Sequence, residues 1–221
     1  MYGSQGHLAN AGIAVAPRAR RTQAERTAAT RARLMIAGRK LFAAKGFADV
    51  TTQEIVAAAG VTRGALYHQF DNKAALFAAV YEDIECNLVA DVAQRIVAAE
   101  PPDQLTAMRA GARVFLELCA APEVARIVLI DAPAVLGWDR WREVGIKYGL
   151  GIIEGMLTQG IADGAIPDQP VRASAHVLLA ALDEAALYIS RASDPDVARE
   201  DMYAVCDRLI SGIAGSAGAA R

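Results

Sequence analysis

The chain has 221 residues, 54% of them hydrophobic and 22% charged, with a formal net charge of −2. That length holds one large domain or a small one joined to a medium one, and the apolar fraction excludes a disordered chain. Aromatic residues make up only 6% and Ala is abundant, a balance that favours closely packed helices over sheets. No apolar run reads as long enough to span a membrane, and no charged segment followed by an apolar stretch marks a secretory signal. Cys86, Cys119 and Cys206 are scattered and odd in number. They are expected to be small buried hydrophobes in a reducing cytoplasm, with no disulfide framework and no zinc site.

The small net charge hides an asymmetry. Residues 1–75 hold eleven Lys and Arg against four Asp and Glu, or +7; residues 76–221 hold twelve against twenty-one, or −9. A basic first third on an acidic remainder suits a nucleic-acid-facing module attached to a body that avoids nucleic acid.

Residues 1–22 show no helical period and read as a tail. Arg18, Arg20 and Arg21 form a basic arm there, which either reaches a minor groove or phosphates or is simply solvated. A helix is predicted over 23–45, with Leu34, Leu41 and Phe42 as its buried stripe and Gly46 as its stop. Thr51 and Glu54 have the spacing of a capping box for a short helix that Gly60 ends. Thr62 caps a second short helix. On that helix Arg63, Gly64, Tyr67 and His68 share one face, beside the apolar Leu66 and Phe70. Two short helices, the second with a polar, aromatic and basic face, have the form of a helix-turn-helix that reads a major groove.

Asp71 or Asn72 caps the next helix. Leu76, Val80, Ile84 and Leu88 recur every four residues, and the pattern runs to about residue 99, before Pro101-Pro102. An amphipathic helix follows over 103–120. Pro122 opens another, interrupted by the segment 131–138, and helix resumes over 139–163. Pro167 and Pro170 bracket a loop before a helix over 171–191. Ser193 or Asp194 caps the last helix, which has Pro195 at its first position and runs to about residue 212. The last two helices are apolar on more than one side, which in a chain of this size implies a partner.

The run Gly60-Val61-Thr62 through Leu66-Tyr67-His68, then Phe70, Asn72-Lys73 and Leu76, resembles the DNA-binding module of the tetracycline-repressor (TetR) family of bacterial transcriptional regulators. The resemblance implies an all-α fold: a tail over 1–22, a three-helix DNA-binding domain over 23–72, and a ligand-binding and dimerisation domain over 73–216. Residues 73–99 would be the linking helix. It further implies a cytoplasmic homodimer through the two C-terminal helices, a palindromic double-stranded DNA operator, and most simply a repressor released by a small-molecule effector. No cofactor, metal or membrane is expected.

Among the DNA-facing candidates, Arg63 is expected to pair with guanine or to hold a phosphate. Gly64 lets the backbone approach the groove. Tyr67 and His68 match family positions that contact phosphate or base, with a packing role as the lesser alternative for Tyr67. Thr52, Gln53 and Thr62 stand at helix starts, where hydroxyls and amides meet phosphate. Lys73 lies at a helix start, where a cation is disfavoured by the dipole, and the family uses a Lys there for phosphate. Gln69 and Asn72 read as structural.

The resemblance places an effector pocket among the middle helices of the second domain. Its candidate lining is aromatic and polar residues in apolar surroundings: Phe115, Trp138, Trp141, Tyr148, Met156 and Tyr188, with Arg113, Asp131, His176 and Asp183 as polar anchors. An uncharged, largely apolar effector is the expectation. The rival class, an enzyme, lacks a Gly-rich phosphate loop, a Gly-x-Ser-x-Gly elbow and a His-Glu-x-x-His motif. A ligand-free architectural DNA-binding protein would have no need of so large an apolar body.

Overall fold

A computed structural model describes residues 22–213 and residue 215; the expected basic arm at Arg18, Arg20 and Arg21 lies outside the described residues. The described residues are helical, with no strand among them. Helix α1 (Gln23–Lys45) begins at a capping box in which Thr22 and Glu25 exchange hydrogen bonds. Helix α2 (Thr52–Ala59) begins at the expected box of Thr51 and Glu54. Lys45 first, and then the Thr51 amide, hold the Glu54 carboxyl at about 2. Gly60 ends α2 in the left-handed conformation, with φ 61° and ψ 40°, which a Cβ would disfavour. Thr62 caps α3 (Arg63–Gln69), and Asn72, rather than Asp71, caps α4 (Lys73–Ala98).

These four helices share one interior. Leu34, Phe42, Ile55, Leu66, Leu76 and Phe77 are fully buried. The Phe42 and Phe47 rings each stand 5.2 Å from Phe77, near edge-on, the arrangement that aromatic quadrupoles favour. The same core runs on along α4 through Val80, Tyr81 and Ile84 to Leu116 and Ile127. No solvent layer separates the helix-turn-helix from the body, so a shift of α4 is felt on both sides.

The body comprises α5 (Gln104–Cys119), α6 (Pro122–Val124), α7 (Ala132–Leu136), α8 (Trp138–Gly145), α9 (Gly151–Ala162), α10 (Val171–Arg191) and α11 (Pro195–Ile213). Two π-helical stretches, Ala125–Asp131 and Ile146–Leu150, join α6 to α7 and α8 to α9. The interruption expected over 131–138 is therefore narrower. The helical path continues through it, and the only sharp turn is at Gly137, φ 83°. Asp194 accepts the Val197 N–H at 3.1 Å at the start of α11.

Two further expectations are corrected. Helix α10 does have the length and apolarity of a membrane span by composition, with mean hydropathy 1.2 over an 18-residue window. Only 33% of that window is buried, and Val177 and Tyr188 are the large apolar side chains that it leaves exposed in the single chain. Cys86 is exposed, whereas Cys119 and Cys206 are buried as expected; all three are free thiols.

Candidate nucleic-acid interface and effector cavity

The capped start of α3 and the packing of Leu66 and Phe70 aim the other face of this short helix outward. Thr62, Arg63, Gly64, Tyr67 and His68 are all exposed, as is Gln53 on α2, while Thr52 is half-buried. The Arg63 guanidinium lies 5.6 Å from the centroid of the Tyr67 ring. The Tyr67 phenol is held below its ordinary value, first by Arg63 and then by the Thr52 hydroxyl. A guanidinium, a phenol and a hydroxyl from two helices thus converge on one exposed patch, with donors free to meet phosphate or a base edge. No Cβ or side chain crowds Gly64: a Cβ there would meet only the Thr62 hydroxyl, at 3.9 Å.

Lys73 has partners inside the chain. Its Nζ donates to the carbonyls of Phe47 and Val50, both at 2.7 Å, and lies 4.1 Å from the centroid of the Phe47 ring. The ammonium ties down the loop between α1 and α2. No phosphate is required to explain a cation at that helix start. Asn72 is structural, as its cap shows, and Gln69 offers its carbonyl to Arg31 at 3.2 Å.

Four hydrogen bonds at three points fasten this module to the body. Arg39 forms a forked ion pair with Glu123, at 2.7 and 3.2 Å. The Phe47 N–H donates to Asp131 at 2.8 Å. Arg126 reaches the Lys45 carbonyl at 3.3 Å and stands 3.5 Å from Asp131. Asp131 is therefore an anchor between the two parts and lies outside the cavity wall.

The body holds a cavity of about 790 Å³, counted with its open mouth, between α4, α5, α9, α10 and α11. Phe115 and Met156 line it, as expected from the sequence. A small adjoining hollow is lined by Tyr81, Glu85, Val128, Trp141, Arg142 and Asp183, with Phe115 shared between the two. Trp141 is fixed there by donating its indole N–H to the Val128 carbonyl at 2.9 Å, and the buried Tyr81 hydroxyl donates to the Trp141 carbonyl at 3.0 Å. Both π-helical stretches border this region, Val128 and Leu129 from the first and Gly149 from the second. Such stretches widen a helix locally and recur at functional sites.

The other candidates lie elsewhere. Trp138 is 65% exposed, its ring tilted at 45° to that of Trp141 with centroids 4.9 Å apart. Tyr148 donates to Glu82 at 3.0 Å. Arg113 lies over the Tyr203 ring at 4.3 Å. Tyr188 is exposed on α10. His176 enters the network only through its carbonyl, which Arg142 reaches at 3.4 Å.

Glu85 was absent from the candidates. It lines both hollows and, among the described residues, is the one charged side chain of the buried core, 7% exposed. Burial first, and Asp183 second, push its carboxyl up to about 7. Asp183 is also pushed up to about 7 by burial, against the pull of Arg142, whose Nη1 lies 2.5 Å from the Asp183 carboxylate. A signal was present: Phe77, Tyr81 and Glu85 succeed one another at four-residue spacing, which puts a carboxylate on a buried row. Among the described residues no cluster of His, Cys, Asp and Glu could hold a metal ion.

A capped helix-turn-helix sharing its core with a cavity-bearing helical body defines a helix-turn-helix regulator, and the comparisons agree. Residues 34–80 match the model of bacterial regulatory proteins of the tetR family, and residues 105–213 match the tetracyclin repressor-like C-terminal domain. A TetR-family transcriptional regulator from Pectobacterium atrosepticum is 31% identical, with 89% of this chain and 99% of that one covered and a TM-score of 0.76. The chain belongs to the TetR family of transcriptional regulators. The HTH-type transcriptional regulator AcrR of Shigella flexneri is 32% identical over 111 residues, 50% of this chain and 51% of that one; the chain thus spans about half the length of this curated relative. RolR in complex with resorcinol shares the fold, with a TM-score of 0.65, 19% identity, and 86% of this chain and 96% of that one covered.

Proposed function

We propose that the protein is a cytoplasmic homodimeric repressor that binds a palindromic operator and is released by a small molecule in the α4–α11 cavity. The division of labour falls at residue 72, with 73–99 as the linking helix. The observation that carries the DNA reading is the patch of exposed Arg63 and Tyr67 beside half-buried Thr52, built from two helices each capped at its start. Dimerisation is supported by Val177 and Tyr188 on α10 and Val197, Val205 and Leu209 on α11, large apolar side chains left exposed in the single chain. Pairing these two helices across a two-fold axis would bury them and set two α3 helices one DNA turn apart, about 34 Å. Release follows if the effector binds the form with a different α3 spacing more tightly, and operator DNA then weakens effector binding by the same factor.

The test is a fluorescence anisotropy titration with duplex DNA from the regulator's own promoter region, against a random duplex, over a range of salt. Specific binding is expected, and Arg63→Ala should weaken it roughly tenfold to a hundredfold while circular dichroism stays unchanged. Equal, salt-sensitive binding to both duplexes, indifferent to Arg63→Ala, would refute the assignment of α3 as the reading helix.

A further inference from the structure

We propose that the cavity's ligand is an apolar molecule carrying one protonated nitrogen, and that Glu85 is the charge partner of that nitrogen. The inference rests on reading the cavity as the effector site, and deepens it by naming the chemical class. The wall is hydrocarbon and thioether: Val92, Met108, Phe115, Met156, Leu178 and Leu182 among others. Into it projects one carboxylate. Glu85 is more than nine-tenths buried, and its Oε2 has no hydrogen-bond partner among the described residues. On the other side, a Cβ on Gly145 would stand 3.9 Å from Oε1, so that oxygen faces the smaller hollow.

No cation among the described residues serves Glu85. Arg142, the guanidinium of the smaller hollow, is engaged by Asp183 and the His176 carbonyl. The count at this centre is two carboxylates to one guanidinium. A buried carboxylate without a partner is costly, and natural proteins keep such groups where they have a task. A neutral alcohol could offer one hydrogen bond but does not stabilise the ionised form of the carboxyl. A carboxylic acid would bring a third acidic group to a site where no cation among the described residues is free. An ammonium supplies both a donor and the missing charge, and the apolar wall takes its hydrocarbon body.

The titrating neighbours agree with this. The groups around Glu85 are Asp183 on α10, Tyr81 on its own helix, Cys119 on α5 and Arg142 on α8. Burial is what first holds the Glu85 proton, so near neutral pH an arriving ammonium displaces that proton, and binding releases it to solvent.

The experiment is isothermal titration of the full chain with n-octylamine, n-octanol and n-octanoate, with wild-type protein and Glu85→Gln. The amine is expected to bind at least tenfold more tightly than the alcohol, and octanoate the most weakly. In Glu85→Gln the amine should fall to the level of the alcohol, while the alcohol itself binds as before. Equal affinity of amine and alcohol for the wild type, or an amine preference that survives Glu85→Gln, would overturn the charge assignment and leave the cavity reading standing. Failure of all three compounds to bind or to release DNA would overturn both. Repeating the amine titration in buffers of different ionisation enthalpy reads the released proton directly, and no proton release at pH 6.5 would also count against Glu85.

Discussion

The Asp131 carboxylate, in the first π-helical stretch of the body, accepts the backbone N–H of Phe47 at 2.8 Å, in the loop that leads to α2. The same stretch supplies Val128 to the smaller hollow and to the Trp141 indole. One short segment therefore touches both the candidate effector region and the loop that positions the helix-turn-helix. Asp131→Ala leaves the Phe47 N–H without its acceptor and Arg126 without a carboxylate. The expected cost is about 1–3 kcal/mol, read by chemical denaturation. The ratio of DNA affinities with and without effector should also shrink, because one of the few direct ties between the two parts is gone.

Lys73 offers a sharper contrast. With its ammonium on the Phe47 and Val50 carbonyls, Lys73→Met keeps the hydrocarbon stem but orphans two acceptors. Stability should fall by roughly 1–3 kcal/mol. The slope of log affinity against log salt should not change, since no phosphate contact is lost. A slope reduced by about one unit, as expected for a lost phosphate contact, would instead return Lys73 to the DNA interface.

Glu85 makes stability depend on pH. Its carboxyl is raised from 4.5 to about 7 in the folded chain, so the folded state holds a proton that the unfolded state has lost. Stability is full below the unfolded value and declines as pH rises through the folded one. Glu85→Gln removes that decline. The variant should match the wild type near pH 4.5 and exceed it at pH 8 by ~1–3 kcal/mol, measured by urea denaturation at each pH. A difference independent of pH would show that the Glu85 carboxyl titrates alike in the folded and unfolded chains.

Much of the fold was legible in the chain, and the reason is local. Thr51 with Glu54, Gly60, and Thr62 act over three or four residues, and caps and turns are decided by nearest neighbours. The exposed face of Arg63, Gly64, Tyr67 and His68 follows from helical periodicity once Leu66 and Phe70 are placed inside. The π-helical stretches were not legible, because a widened turn leaves no separate residue pattern.

Sequence alone determined the all-helical chain, its helix-turn-helix and the residues that face outward on α3, since each depends on spacing along one element. Only the tertiary structure decided which polar groups are spent within the chain and which remain available. Lys73 closes onto carbonyls more than twenty residues away, and Asp131 closes onto an amide 84 residues away. Glu85 becomes an unpaired buried carboxylate because α5, α9, α10 and α11 wall it in and none supplies a cation. The worth of a charge is set by its partners and by the dielectric around it, and both are assembled from distant parts of the chain.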